Sequence, residues 1–224
     1  MTASVPGRIL AIGDIHGCDV ALETLLSTMS VSSADTVVVL GDAVDRGPGT
    51  RQVVERLLQL AKECRLVFIL GNHEQMLLDV VATGSPAEPW LQYGGSATLA
   101  SYGGDPRNIP AAHLQFLRSG LDFWETSREL FIHANLEPGL DLDQQPDEWL
   151  RWTHLSGHEL PHPSGKRIVC GHTPQKDGIP RVLDGWVCID TFACGTGWLT
   201  CLDVATDEYC QATQSGSSRT GRLE

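Results

Sequence analysis

Five short stretches of this 224-residue chain end an apolar run on residues that hold cations or move protons. They are GDIHG (13–17), GDAVDRG (41–47), GNHE (71–74), FIHAN (131–135) and CGHT (170–173). Burying carboxylates and imidazoles is costly unless an opposite charge or a metal meets them. Asp14, His16, Asp42, Asn72, His133 and His172 form a mixed oxygen and imidazole set with no need of thiolate. That set suits manganese, iron or zinc better than calcium. One division gives a first ion to Asp14, His16 and Asp42, and a second to Asp42, Asn72, His133 and His172, so that Asp42 bridges. Two ions about 4 Å apart would lower the pKa of a shared water and clamp the attacking and leaving oxygens of an in-line displacement.

These residues can meet only if strand ends carry them. Residues 8–13, 36–42 and 65–72 read as short buried strands, and 18–29, 50–64 and 73–82 as helices with apolar residues at helical spacing. That alternation predicts right-handed crossovers and a largely parallel sheet, with ligands gathered outside the carboxyl ends of its strands. Beyond residue 84 the pattern changes. Gly- and Pro-rich stretches at 85–96 and 101–110 read as loops flanking a short helix, and 111–120 as a helix. Strand-like runs then follow at 129–135, 166–173, 181–191 and 198–205. The Asp184-Gly185 turn suggests a hairpin and a second, more antiparallel sheet. Residues 1–210 read as one domain, and 211–224 as a polar, disordered tail.

Composition narrows the function classes. A net charge of −12 argues against a nucleic-acid surface and fits carboxylates that a cation partly neutralises. With no membrane-length apolar run and no export signal, the expectation is a cytoplasmic monomer. The seven cysteines form no C-x-x-C pair and read as reduced core thiols.

In this order, the five blocks resemble the phosphoprotein phosphatase family of calcineurin-like metallophosphoesterases, nearly letter for letter, from residue 13 to 173. Cys18 after GDIHG, and GNHEQM, point to its bacterial and phage-type branch. The resemblance implies an α/β fold, a sandwich of two mixed β-sheets flanked by helices, with metals at the rim. It makes Asp14, His16, Asp42, Asn72, His133 and His172 the ligands of two divalent ions, manganese first and iron or zinc as alternatives. His73 would be the general acid, oriented by Asp45. Arg46, Asn72 and Arg151, from EWLRW, would hold phosphate. FIHAN departs from the pattern at Asn135, where Gly or Asp is common.

The activity implied is hydrolysis of a phosphomonoester on a phosphoserine or phosphothreonine protein or peptide, by direct attack of a water or hydroxide bridging the metals. The alternative is a diadenosine tetraphosphate hydrolase of the same superfamily, which RGPG and CGTGWLTCL resemble. Asp45 and GNHE, where that group typically lacks the acid and carries GNHD, count against it. A non-catalytic binding module would have lost a ligand, and none is missing. Glu74 reads as a first-turn carboxylate that complements the helix dipole. His154, His158 and His162 read as a solvated loop, because Gly157, Pro161 and Pro163 break the helix their spacing suggests. Trp90 and Tyr93 could face substrate or simply pack.

Overall fold

A computed structural model describes residues 7–83 and 88–224. The predicted parallel strands are present as β1 (Ile9–Ile12), β2 (Thr36–Val39) and β3 (Arg65–Phe68). They pair in parallel with Ile12 opposite Val39 and Val39 opposite Phe68. Because the three end level, Asp14, Asp42 and Asn72 leave the sheet along one edge. Their connections are α1 (Asp19–Met29) and α2 (Thr50–Glu63), and α3 (Asn72–Thr83) follows β3 directly. A second sheet contains β4 (Phe123–Glu125), β5 (Glu129–Ile132), β6 (Arg167–Cys170), β7 (Arg181–Leu183) and β8 (Trp186–Cys188), in the order β4-β5-β6-β8-β7.

Both sheets are mixed, as the resemblance implied. In the second, β5, β6 and β8 are mutually parallel and only the edge strands β4 and β7 run against them. The run at 198–205 does not join it. It forms β9 (Leu199–Asp203), antiparallel to β1 in the first sheet, and β10 (Glu208–Ala212) and β11 (Ser218–Arg222) extend that sheet outward. Residues 211–224 are therefore not the disordered tail that composition suggested. A polar strand needs no apolar face when backbone pairing holds it, and here Arg219 also packs over Trp198 at 4.3 Å and bonds Gln211.

Side-chain alternation divides the core in three. Ala11, Val38, Leu40 and Val67 meet Phe131, Val169, Val187 and Ile189 between the sheets. Leu10, Ile12, Val37 and Val39 face α1, α2 and α3 on the outside of the first sheet. Leu130, Ile132, Ile168 and Trp186 form the outer layer of the second. Strands buried on both faces read as unbroken apolar runs, which is why these stretches look alike in the sequence. Each such side chain contributes about 1.5–3 kcal/mol on burial, so the rim residues hang from the stiffest part of the molecule.

The stretch predicted as loop at 85–96 is described only from Glu88. From there it is helical: α4 (Glu88–Trp90), a wide turn Leu91–Gly95 broken at Gly94 (φ 111°), and α5 (Ser96–Ser101). Two more α-helices follow among the described residues, α6 (Ala111–Arg118) and α7 (Asp147–Trp152). The seven thiols are free, and all but Cys194 are buried. No described helix is long and apolar enough to cross a membrane.

Candidate active site

Asp14, His16, Asp42, Arg46, Asn72, His73 and His172 line one cavity, together with Tyr93, Trp152, His154 and Pro174. His133 lies beneath it, fully buried. Backbone strain gathers here. His16 (φ 47°), Asp42 (50°), Asp45 (70°), Arg46 (67°) and His172 (61°) are five of the eight described non-glycine residues in the left-handed region. Each costs about 1–3 kcal/mol and persists only where its surroundings force it. Two glycines show how tight the fit is. A Cβ on Gly41 (φ 95°) would lie 2.9 Å from His133 Nδ1, and one on Gly171 would lie 2.1 Å from Asp14 Oδ1.

Asp42 stands at the centre. His16 Nε2 is 3.5 Å from its Oδ2, and His133 Nε2 is 3.5 Å from its Oδ1. The far nitrogen of each ring donates to a backbone carbonyl: His16 Nδ1 to Val44 O (3.0 Å) and His133 Nδ1 to Leu40 O (2.7 Å). The Nε2 lone pairs are thus aimed at carboxylate oxygens, acceptor against acceptor. Burial drives both imidazoles well below their usual pKa, which keeps them neutral. The Asn72 amide lies 3.1 Å from His133 Nε2 and 3.3 Å from each Asp42 oxygen. With its nitrogen inward it donates to them; with its oxygen inward it adds one more ligand atom.

Such a set fits divalent cations. Two groups, His16–Asp42–His73 and Asp42–His133–His172, each hold ligand atoms within 4.8 Å of one another, and Asp42 belongs to both. His73 stands in the first group where the sequence division placed Asp14. Both Asp14 oxygens instead accept the His172 backbone N–H at 3.1 Å. Ring nitrogens that donate backward to carbonyls are the usual support of metal-binding histidines. His172 Nε2 meets Trp152 O at 3.0 Å, and burial, then His154, lowers its pKa to about 4.

The carboxylates are short of positive charge. Burial, then Asp190 and Asp42, pushes Asp14 well above the ordinary range. Burial also raises Asp42 and Asp190 to about 6. Asp190, just beyond β8, was missed in the sequence, although CID ends an apolar run as the other blocks do.

His73 is held differently. Its Nδ1 donates to Asp45 Oδ2 at 2.7 Å, and Asp45 is fixed in turn by Trp90 Nε1 (2.9 Å) and Thr98 Oγ1 (2.7 Å). Trp90 therefore packs and also serves the site, while Tyr93 lines the cavity. Burial lowers the His73 pKa, but Asp42 and Asp45 outweigh it and the net direction is upward. Its Nε2 is 3.1 Å from Arg46 Nη2. Glu74 does more than face a helix dipole. It accepts the backbone N–H groups of Asp42, Ala43, Val44 and Gly71 and so ties the second block to the third.

Arg151 is not brought to the cavity. Its guanidinium is taken by Asp122 and by Asp147 at 2.6 Å. His154, read as a solvated loop residue, lines the cavity instead and stacks on His172 (centroids 4.4 Å apart, planes 18°).

The calcineurin-like phosphoesterase family profile matches residues 7–192. This chain belongs to that family. A calcineurin-like phosphoesterase is a metal-dependent hydrolase, in keeping with the donor set above. The symmetrical bis(5'-nucleosyl)-tetraphosphatase of Paracidovorax citrulli is 46% identical over 71 residues, 31% of this chain and 25% of that protein. Serine/threonine-protein phosphatase 1 of Salmonella typhimurium is 36% identical over 89 residues, 39% of each chain. These alignments thus span well under half of the curated relatives. The fold is shared more widely: a crystal structure of a candidate diadenosine tetraphosphatase superposes with a TM-score of 0.72 at 21% identity, covering 99% of this chain and 96% of the other.

Proposed function

We propose that this phosphoesterase hydrolyses a phosphoanhydride bond of a dinucleoside polyphosphate, using two divalent cations that Asp42 bridges. The observation that carries the hydrolytic reading is the meeting of imidazole lone pairs and carboxylate oxygens around Asp42. Asp14, His16, Asp42, Asn72, His133 and His172 would hold the cations. When bound, such ions activate water for attack and stabilise charge on the entering and departing oxygens.

The protein's own groups complete the chemistry. Arg46, with its planar fork of donors, would take phosphate oxygens. Its present contact needs a neutral, accepting His73 Nε2. A phosphate entering between them would accept from both groups and favour the protonated ring. Asp45 fixes the proton on Nδ1 and supports the imidazolium, so Nε2 can deliver its proton to the leaving oxygen.

The tetraphosphatase relatives support a dinucleotide substrate. The protein phosphatase reading, placed first on sequence, has the Salmonella typhimurium relative and the His73–Asp45 pair behind it. Turnover of diadenosine tetraphosphate, a phosphoserine peptide and p-nitrophenyl phosphate with Mn2+ separates the two. The dinucleotide should give the highest kcat/KM; a preference for the phosphopeptide would reject the proposal.

A further inference from the structure

A second cavity, of about 390 Å3, shares His154 with the first and is not used by the chemistry above. Leu136, Trp149, Pro161 and Trp186 are among its walls. Its size falls in the range of small-ligand pockets, and aromatic walls with a few polar groups are their usual lining. The walls are braced before anything binds. Trp186 Nε1 donates to Leu160 O at 2.9 Å, and Asn135 joins the two sides by accepting from Leu136 N and donating to His154 O. Glu159 gathers Ser156 N, Ser156 Oγ and Gly157 N. Bracing of this kind removes much of the ordering cost of binding.

Position gives the cavity its meaning. His154 is the shared wall, with its ring lying on His172 at the edge of the phosphate site. A ligand anchored by phosphate near Arg46 and His73 would reach this cavity by extending past His154, the residue that both cavities share. A flat, apolar group suits indole walls, because offset stacking adds to simple burial.

We infer that this cavity is the subsite for the nucleobase of the bound nucleotide, with Trp149 as its specificity-determining wall. The inference rests on the nucleotide reading above and adds where the base goes.

The test compares AMP with D-ribose 5-phosphate, which keeps the sugar and phosphate but lacks the base. Both are titrated calorimetrically into the Mn2+-loaded protein, wild type and the Trp149→Ala and Trp149→Phe variants. Wild type should bind AMP about tenfold or more tightly than ribose 5-phosphate, a contrast in keeping with burying and stacking a base. Trp149→Ala should bring the ratio close to one, and Trp149→Phe should restore most of it. Equal affinities in wild type, or a preference that survives Trp149→Ala, would overturn the inference. Turnover keeps the two proposals apart. If wild type leaves diadenosine tetraphosphate intact but keeps a Trp149-dependent preference for AMP, the substrate reading falls and the base subsite stands. If it cleaves the dinucleotide with no such preference, the substrate reading stands and the subsite falls.

Discussion

The two ends of the β1–β2 pair each bury aspartate and treat it in opposite ways. At the amino end, Asp35 accepts from Arg8 N, Nε and Nη2 and from Ser32 N and Oγ. The Arg8 hydrogen bond holds its carboxyl well below the usual range. At the carboxyl end, Asp14 and Asp42 each accept a backbone N–H, from His172 and His73, but sit buried among other acceptors, and burial first of all raises their pKa values. One acid is supplied with donors by the fold. The others are given fewer donors and more acceptor neighbours, a balance that a cation would restore. Position at a strand end does not distinguish a structural aspartate from a functional one; the count of donors around it does.

The largest expected effect separates the two ends by activity. Asp42→Asn should lower kcat by about a thousandfold or more, on the scale of lost electrostatic stabilisation at a reaction centre, while Asp35→Asn leaves kcat unchanged. Steady-state kinetics on one substrate checks both. His73→Asn comes next, with a loss of about 10²–10⁴ in kcat, the range of general acid catalysis. That loss should shrink on a substrate whose leaving group needs no proton.

Stability should move the other way. Asp35→Asn leaves buried donors short of acceptors and should cost about 1–3 kcal/mol; the Arg8 ion pair itself adds little, because Arg8 is partly exposed. In metal-free protein Asp42→Asn should raise the melting temperature, since an amide N–H can donate to His16 or His133 Nε2 where a carboxylate cannot. Thermal denaturation with and without EDTA reads both signs. The Asp35 term also has a pH window. A depressed folded pKa gives stability that is complete above the unfolded value of about 4 and lost as pH falls through the folded value. The gap between wild type and Asp35→Asn should therefore narrow below about pH 4.

The smallest effect concerns Arg151. Held by Asp122 and Asp147, it should leave KM unchanged when replaced by Ala. A raised KM would restore the phosphate-binding role that EWLRW suggested.

The rim was legible in the sequence because each block carries its own turn: the strand, the glycine and the ligand are neighbours in the chain. What failed to show depends on contacts between distant residues. His154 looked like a loop histidine because Gly157 and Pro161 break any helix around it. The Asn135–His154 bond and the ring of His172 place it, and none of these is near it in sequence. Arg151 was read from its neighbours in EWLRW, but Asp122, 29 residues away, holds its guanidinium. Likewise, β11 is polar throughout, and its strand state comes from pairing with β10. Glu74 was read as a first-turn carboxylate, yet three of its four backbone partners lie 30 or more residues back, in the second block.

The central claim is that the acceptor-rich end of this strand pair is a site for two cations sharing Asp42. Metal content after equilibration with Mn2+ and removal of free ion tests it most directly. The account predicts two ions per wild-type chain and fewer than two after Asp42→Asn, with Asp35→Asn still holding two. One ion or none in wild type, or two retained by Asp42→Asn, would contradict it.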